Sequence, residues 1–198
     1  MMMQLSEREK MLSDQPYRGS DPELVKARAR ARELLGRFNA SSALALAERQ
    51  SLLLDLIGDL GPDVWIEPPF FCDYGSHIRL GPGVYCNFGC VILDCNWVEI
   101  GGQCKFGPNV QIYTAYHPID PIQRRSGVEM AAAIRIGENV WVGGGAIICP
   151  GVEIGADTVI GAGSVVTKSL PARVVAAGNP LSLIHISEPT RRTPISYA

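Results

Sequence analysis

Aromatic residues are scarce in this chain, at 7% of 198 residues, and only three histidines occur: His77, His117 and His185. With so few aromatics, a hydrophobic content of 46% has to be carried by aliphatic side chains. Eighteen basic and 20 acidic residues leave a formal net charge of -2, so no global positive field draws the chain to nucleic acid. No stretch approaches the ~20 apolar residues of a membrane span. The opening MMMQLSEREKM has no apolar core of the signal-peptide kind, so a cytoplasmic location and no membrane partner are expected. A three-histidine zinc site would need every histidine together, yet His77 and His117 lie forty positions apart and His185 sits in the final stretch. No metal is expected. The six cysteines, Cys72, Cys86, Cys90, Cys95, Cys104 and Cys149, form no C-x-x-C pair. They read as reduced thiols packed as small hydrophobes.

Glycine and aliphatic residues are abundant, and they recur on a six-residue beat. The second half runs Ile136-Gly137, Val142-Gly143, Ile148, Ile154-Gly155, Ile160-Gly161, Val166; before it come Ile100-Gly101, Phe106-Gly107 and Ile112. Six residues rotate an α-helix by about 600° and scatter such side chains around it. An isolated strand repeats every two. A strand that turns a corner every six residues, closing a triangular coil in three turns, points each aliphatic residue inward to stack on the next coil. The beat therefore predicts a mostly β chain: a left-handed parallel β-helix of hexapeptide repeats.

Ahead of the coils, Ser20, Asp21, Pro22 and Glu23 combine a cap, a first-turn proline and a capping acid. A second amphipathic pattern runs from Ser42 to Gly61. Residues 1–61 are thus an N-terminal helical cap, with Lys26, Arg28, Arg30 and Arg32 read as a solvated face. Residues 62–180 form the β-helix. In its early part the beat of Leu80, Cys86, Ile92 and Val98 slips by two to restart at Ile100. Residues 118–133 break the rhythm, but Ile112 and Ile136 stay in register, so the break is a loop excluded from one coil. The last stretch, residues 181–198, has no such rhythm and is expected to be a non-native or disordered tail. His77 is expected at a surface position.

From Trp65 to Pro180 the segments WIEPPFFCDYGSHIRLG, NFGCVILD, IYTAYHPIDP, IGENVWVGGGAIICPGVEIG and VIGAGSVVTKSLPARVVAAGNP resemble the maltose and galactoside O-acetyltransferases, a branch of the hexapeptide-repeat acyltransferases. The resemblance implies acetyl transfer from acetyl-CoA to a sugar hydroxyl, with His117 matching the general base. A sugar hydroxyl is a poor nucleophile, and a neutral imidazole can take its proton as the new bond forms. Acceptor contacts map to Asp14, Asp73, Tyr85, Asn87 and Asp94. The coenzyme side maps to Trp141, Gly144, Ala162, Thr167 and Lys168, with the backbone amide near Gly144 suited to the thioester oxygen. The galactoside branch carries a second acid where this chain has Cys95, which favours a maltose- or glucose-type acceptor. The family's basic residues beyond the GNP segment are replaced by Ser182 and His185. A homotrimer with sites between subunits is implied as well. Two other readings remain open: an acceptor such as chloramphenicol or a lipo-oligosaccharide sugar, and a non-enzymatic hexapeptide scaffold.

Overall fold

The computed structural model of the chain describes residues 5–186. Three helices precede the coils: α1 (Glu7–Leu12), α2 (Pro22–Ala40) and α3 (Leu46–Leu56). Asp21 caps α2, accepting from the Glu23 N–H at 2.9 Å, and Pro22 occupies its first turn. Helix α1, within the expected cap, carries its own capping box between Ser6 and Glu9, ahead of the Ser20 start read from sequence. Apolar residues of α2 and α3, among them Leu34, Phe38, Leu52 and Leu56, close one end of the β-helix core. Asn39 completes the closure: its amide donates to the Phe70 carbonyl at 2.9 Å and accepts the Phe70 N–H at 2.8 Å.

The chain then winds through about six turns of parallel β-solenoid, confirming the left-handed β-helix. Each turn lays one short strand on each of three faces. The first face stacks Asp59–Leu60, Ile78–Leu80, Val98–Ile100, Ile134–Ile136 and Glu153–Ile154. The second runs from Trp65–Ile66 to Val174–Gly178, and the third from Phe71–Cys72 to Val165–Val166. The beat residues point inward as expected. Ile92, Ile112, Ile148 and Ile160 are each at most 2% exposed and pair vertically, as Ile92 does with Ile112. Burying each such side chain is worth about 1.5–3 kcal/mol, so the column carries the fold. Glycine is needed where corners stack: a Cβ on Gly107 would lie 2.5 Å from the Gly144 nitrogen. The cysteines are free, and all but the half-buried Cys149 are buried.

Outward residues differ by face. The first face carries a ladder of alternating charge in which Arg79 pairs with Glu99 at 2.6 Å, and Arg135 with Glu99 at 3.1 Å and Glu153 at 3.0 Å. The third face presents Phe71, Val91, Gln111, Ile147 and Val165.

Two expectations are corrected. His77 is not at the surface; it is 1% exposed, wedged against the rings of Tyr74 and Trp97. The tail is not wholly outside the fold either. Leu181–Ile186 pairs antiparallel with Val174–Gly178, whose outer edge offers unpaired backbone groups that any extended segment after a turn can satisfy. Residues 187–198, and the side chain of His185, lie outside the described residues.

Candidate active site

Two of the three corners of the triangular coil differ in length, and the difference builds the site. Between the second and third faces the corners are tight and glycine-rich. Between the third and first faces they are longer in the early coils: Cys72 to Leu80 and Ile92 to Ile100 each take two more residues than Ile148 to Ile154. This is the two-residue slip in the beat. On the third coil the same edge throws out the excursion, whose base is a short antiparallel pair of Ala115–Tyr116 with Met130–Ala131 and whose tip holds α4 (Pro121–Arg125).

The long edge collects Asp73, Asp94 and His117, and the cap brings Asp14 against it. His117 is exposed, directly after Tyr116, and among the described residues its ring makes no side-chain hydrogen bond. Asp14 is exposed, with a left-handed backbone (φ 58°), and accepts from the Asn96 amide at 2.8 Å. Asp73 is half-buried; burial raises its pKa, while the Cys95 thiol, which donates to it at 3.4 Å, and the Arg28 guanidinium oppose the rise. Asp94 is fully buried, and its carboxylate accepts the N–H groups of Asp73, Tyr74 and His77 at 3.0, 2.8 and 3.3 Å. Burial outweighs those donors and pushes its pKa up to about 7. It therefore stands behind the site surface rather than at the direct contact that the resemblance implies. Thr167 and Lys168 are exposed further along the same edge.

The glycine-rich edge gathers the other set. Asn87, Gly144 and Ala162 occupy equivalent corners of the second, fourth and fifth coils. Among the described residues the Gly144 N–H donates to no backbone carbonyl. On the adjoining second face, Tyr85, Lys105 and Trp141 stack in register, and Trp141 is 58% exposed. Six of the eleven expected site residues thus lie along the long edge, and the other five lie across the third sheet from them, on the glycine-rich edge or the adjoining second face.

Sequence reasoning missed several residues of the long edge. Tyr17 and Glu129 exchange both backbone hydrogen bonds, and the Tyr17 hydroxyl donates to the Glu129 carboxylate at 3.1 Å. Arg18 adds a bond to the Ser126 carbonyl at 3.1 Å. The cap and the excursion are thereby clasped together. Arg28 donates to the Tyr74 hydroxyl at 2.6 Å and to the Gly19 carbonyl, so it is not part of a solvated face.

Fold and site define the chain as a hexapeptide-repeat acyltransferase: residues 133–168 match the bacterial transferase hexapeptide (six repeats). Residues 10–61 match the maltose acetyltransferase hexapeptide capping motif. A maltose O-acetyltransferase from Clostridium difficile 630 is 45% identical, with a TM-score of 0.91 over 93% of this chain and 99% of that one. A hexapeptide-repeat acetyltransferase from Vibrio cholerae O1 biovar eltor, solved with acetyl-CoA, is 36% identical, with a TM-score of 0.86 over 92% of this chain and 98% of that one. The galactoside O-acetyltransferase of Lactococcus lactis subsp. lactis is 38% identical over 180 residues, 90% of this chain and 87% of the relative. The chain belongs to the maltose and galactoside O-acetyltransferase family, and it is an acetyltransferase.

Proposed function

We propose that the protein transfers the acetyl group of acetyl-CoA to a hydroxyl of a sugar, of maltose or glucose type, in sites shared between the subunits of a homotrimer. The separation of the two half-sites carries this reading. Strand Gln111–Tyr113 and its flanking residues set the long edge and the glycine-rich edge roughly 15 Å apart at about 3.3 Å per residue. One reacting thioester cannot touch both within one chain. If the apolar third face of one copy packs beside its neighbour, the long edge of the first meets the glycine-rich edge of the second, and cyclic symmetry closes the ring.

In that arrangement His117 of one subunit takes the proton of the acceptor hydroxyl as its oxygen attacks the thioester carbonyl. The Gly144 N–H of the neighbour steadies the oxyanion. Collapse of the tetrahedral intermediate breaks the carbon–sulfur bond, and the imidazolium returns its proton to the departing thiolate. Asp14 and Asp73 supply acceptors for sugar hydroxyls from one side, Tyr85 and Asn87 from the other. Trp141, Ala162 and Thr167 would line the coenzyme, and Lys168 would meet a phosphate.

Thiol release from acetyl-CoA, measured with maltose, glucose, a galactoside and chloramphenicol, tests the acceptor. Turnover with chloramphenicol alone would replace the sugar by that acceptor. Absence of turnover with all four would refute the sugar reading and point to an acceptor of another class. Light scattering that gives a monomer mass for an active sample would refute the shared site.

A further inference from the structure

Asp94 is the most deeply placed charge on the long edge, and every contact it makes leads to the corner that carries Asp73. Its Oδ1 accepts two consecutive N–H groups, those of Asp73 and Tyr74, and its Oδ2 accepts that of His77. His77 answers with its ring: Nδ1 lies 2.7 Å from the Asp94 carbonyl oxygen, which can only accept, so the proton sits on Nδ1. The opposite ring nitrogen, Nε2, is buried without a hydrogen-bond partner, so the ring serves this one bond alone. The corner from 73 to 77 has no pairing of its own to hold its first two N–H groups. It bends through Gly75 at φ 72°, where a Cβ would strike the chain at Leu56. Next to Asp94, the Cys95 thiol holds the Asp73 carboxylate itself. One residue therefore anchors the backbone of Asp73, and its neighbour orients the side chain.

We infer that Asp94 is a positioning residue for acceptor binding: its buried carboxylate templates the 73–77 corner so that Asp73 stands at a fixed point on the edge that also carries His117. The inference rests on the acceptor reading above for Asp73, and it assigns Asp94 no contact with the acceptor. The later corner from Ile148 to Ile154 is two residues shorter and has no buried carboxylate behind it. Asp94→Asn tests it sharply. The variant retains one acceptor oxygen but turns an NH2 group toward one of the N–H donors, so the corner loses part of its template at nearly constant volume.

The expected result is a sugar KM raised about tenfold with maltose, while kcat and the acetyl-CoA KM stay within about twofold, the pattern of lost ground-state positioning. In a double-mutant cycle Asp94→Asn should add little to Asp73→Ala, because the first acts through the second. A KM for acetyl-CoA that rises as much as that for maltose, or effects of the two substitutions that simply add, would overturn the inference. Amide hydrogen exchange needs no acceptor: in Asp94→Asn the amides of Asp73, Tyr74 and His77 should exchange at least about tenfold faster while those around Ile148 and Ile154 are unchanged. Exchange that accelerates evenly along the whole β-helix would show a global loss of stability instead, and would also overturn it. If wild type turns over no sugar, the acceptor reading fails on its own, and the exchange rates still decide whether Asp94 holds the corner.

Discussion

The side-chain amide of Asn96, buried on the second coil, donates to the Asp14 carboxylate at 2.8 Å and to the Met11 carbonyl at 3.0 Å. One group thus fixes the end of α1 and holds Asp14 against the long edge. Replacing Asn96 by Leu would strand the Met11 carbonyl and free Asp14. A stability loss of about 1–3 kcal/mol is expected, the cost of a buried polar group left unpaired, together with a raised sugar KM. Urea unfolding and steady-state kinetics on the same variant check the two parts.

His117→Ala should lower kcat by roughly 10² to 10⁴-fold, as for loss of a general base. The residue is exposed, so the melting temperature should hold within about two degrees. A variant that keeps its kcat would show that the base lies elsewhere.

The clasp between cap and excursion rests on Tyr17 and Glu129. Tyr17→Phe removes one hydroxyl from a residue that is 1% exposed and leaves the backbone pair intact. About 1 kcal/mol of stability should be lost, the net worth of an ordinary hydrogen bond. Limited proteolysis between Ile119 and Gly127 should quicken in the variant. Unchanged cleavage would mean that the backbone pair alone holds the excursion.

Acid titration should single out His77. Burial lowers its pKa to about 4, from an ordinary imidazole value of 6.5. Between those limits the unfolded chain binds a proton that the folded chain refuses, so His77 favours folding above pH 6.5 and its contribution falls away as the pH drops toward 4. Asp94, whose pKa is raised, works in the opposite direction, but it is present in both wild type and His77→Asn and cancels in their difference to first order. The stability advantage of wild type over His77→Asn should therefore shrink by up to about 3 kcal/mol between pH 6.5 and 4. Parallel pH curves for the two proteins would contradict the burial of His77.

The architecture was legible because one physical demand recurs at every turn: an inward side chain each sixth residue and a corner that no Cβ may crowd. The first turn of α2 could be read in the same way from Asp21 and Pro22. Even the enlarged site edge left a trace, in the two-residue slip before Ile100. Burial within that edge left none. His77 reads as a polar residue in a loop, and only the packed corner reveals that Tyr74, Trp97 and Asp94 surround it. The same crowding places Asp94 behind the surface. Tyr17 and Glu129 are 112 positions apart, and nothing periodic connects them. The pairing of Leu181–Ile186 depends on a free strand edge rather than on side-chain pattern, so a patternless segment gave no warning of it.

A helical stack of strands ends, in principle, on a row of open hydrogen-bonding groups, the same surface on which a fibre adds its next layer. Here the Asn39 side chain answers Phe70 with one donor and one acceptor, imitating the peptide group of a coil that was never built. A single carboxamide thus helps to set the molecule's size: growth past the first turn is blocked by a counterfeit of the missing rung. Losing it would expose one end to other chains, and the damage would surface as polymerisation well before it surfaced as lost activity.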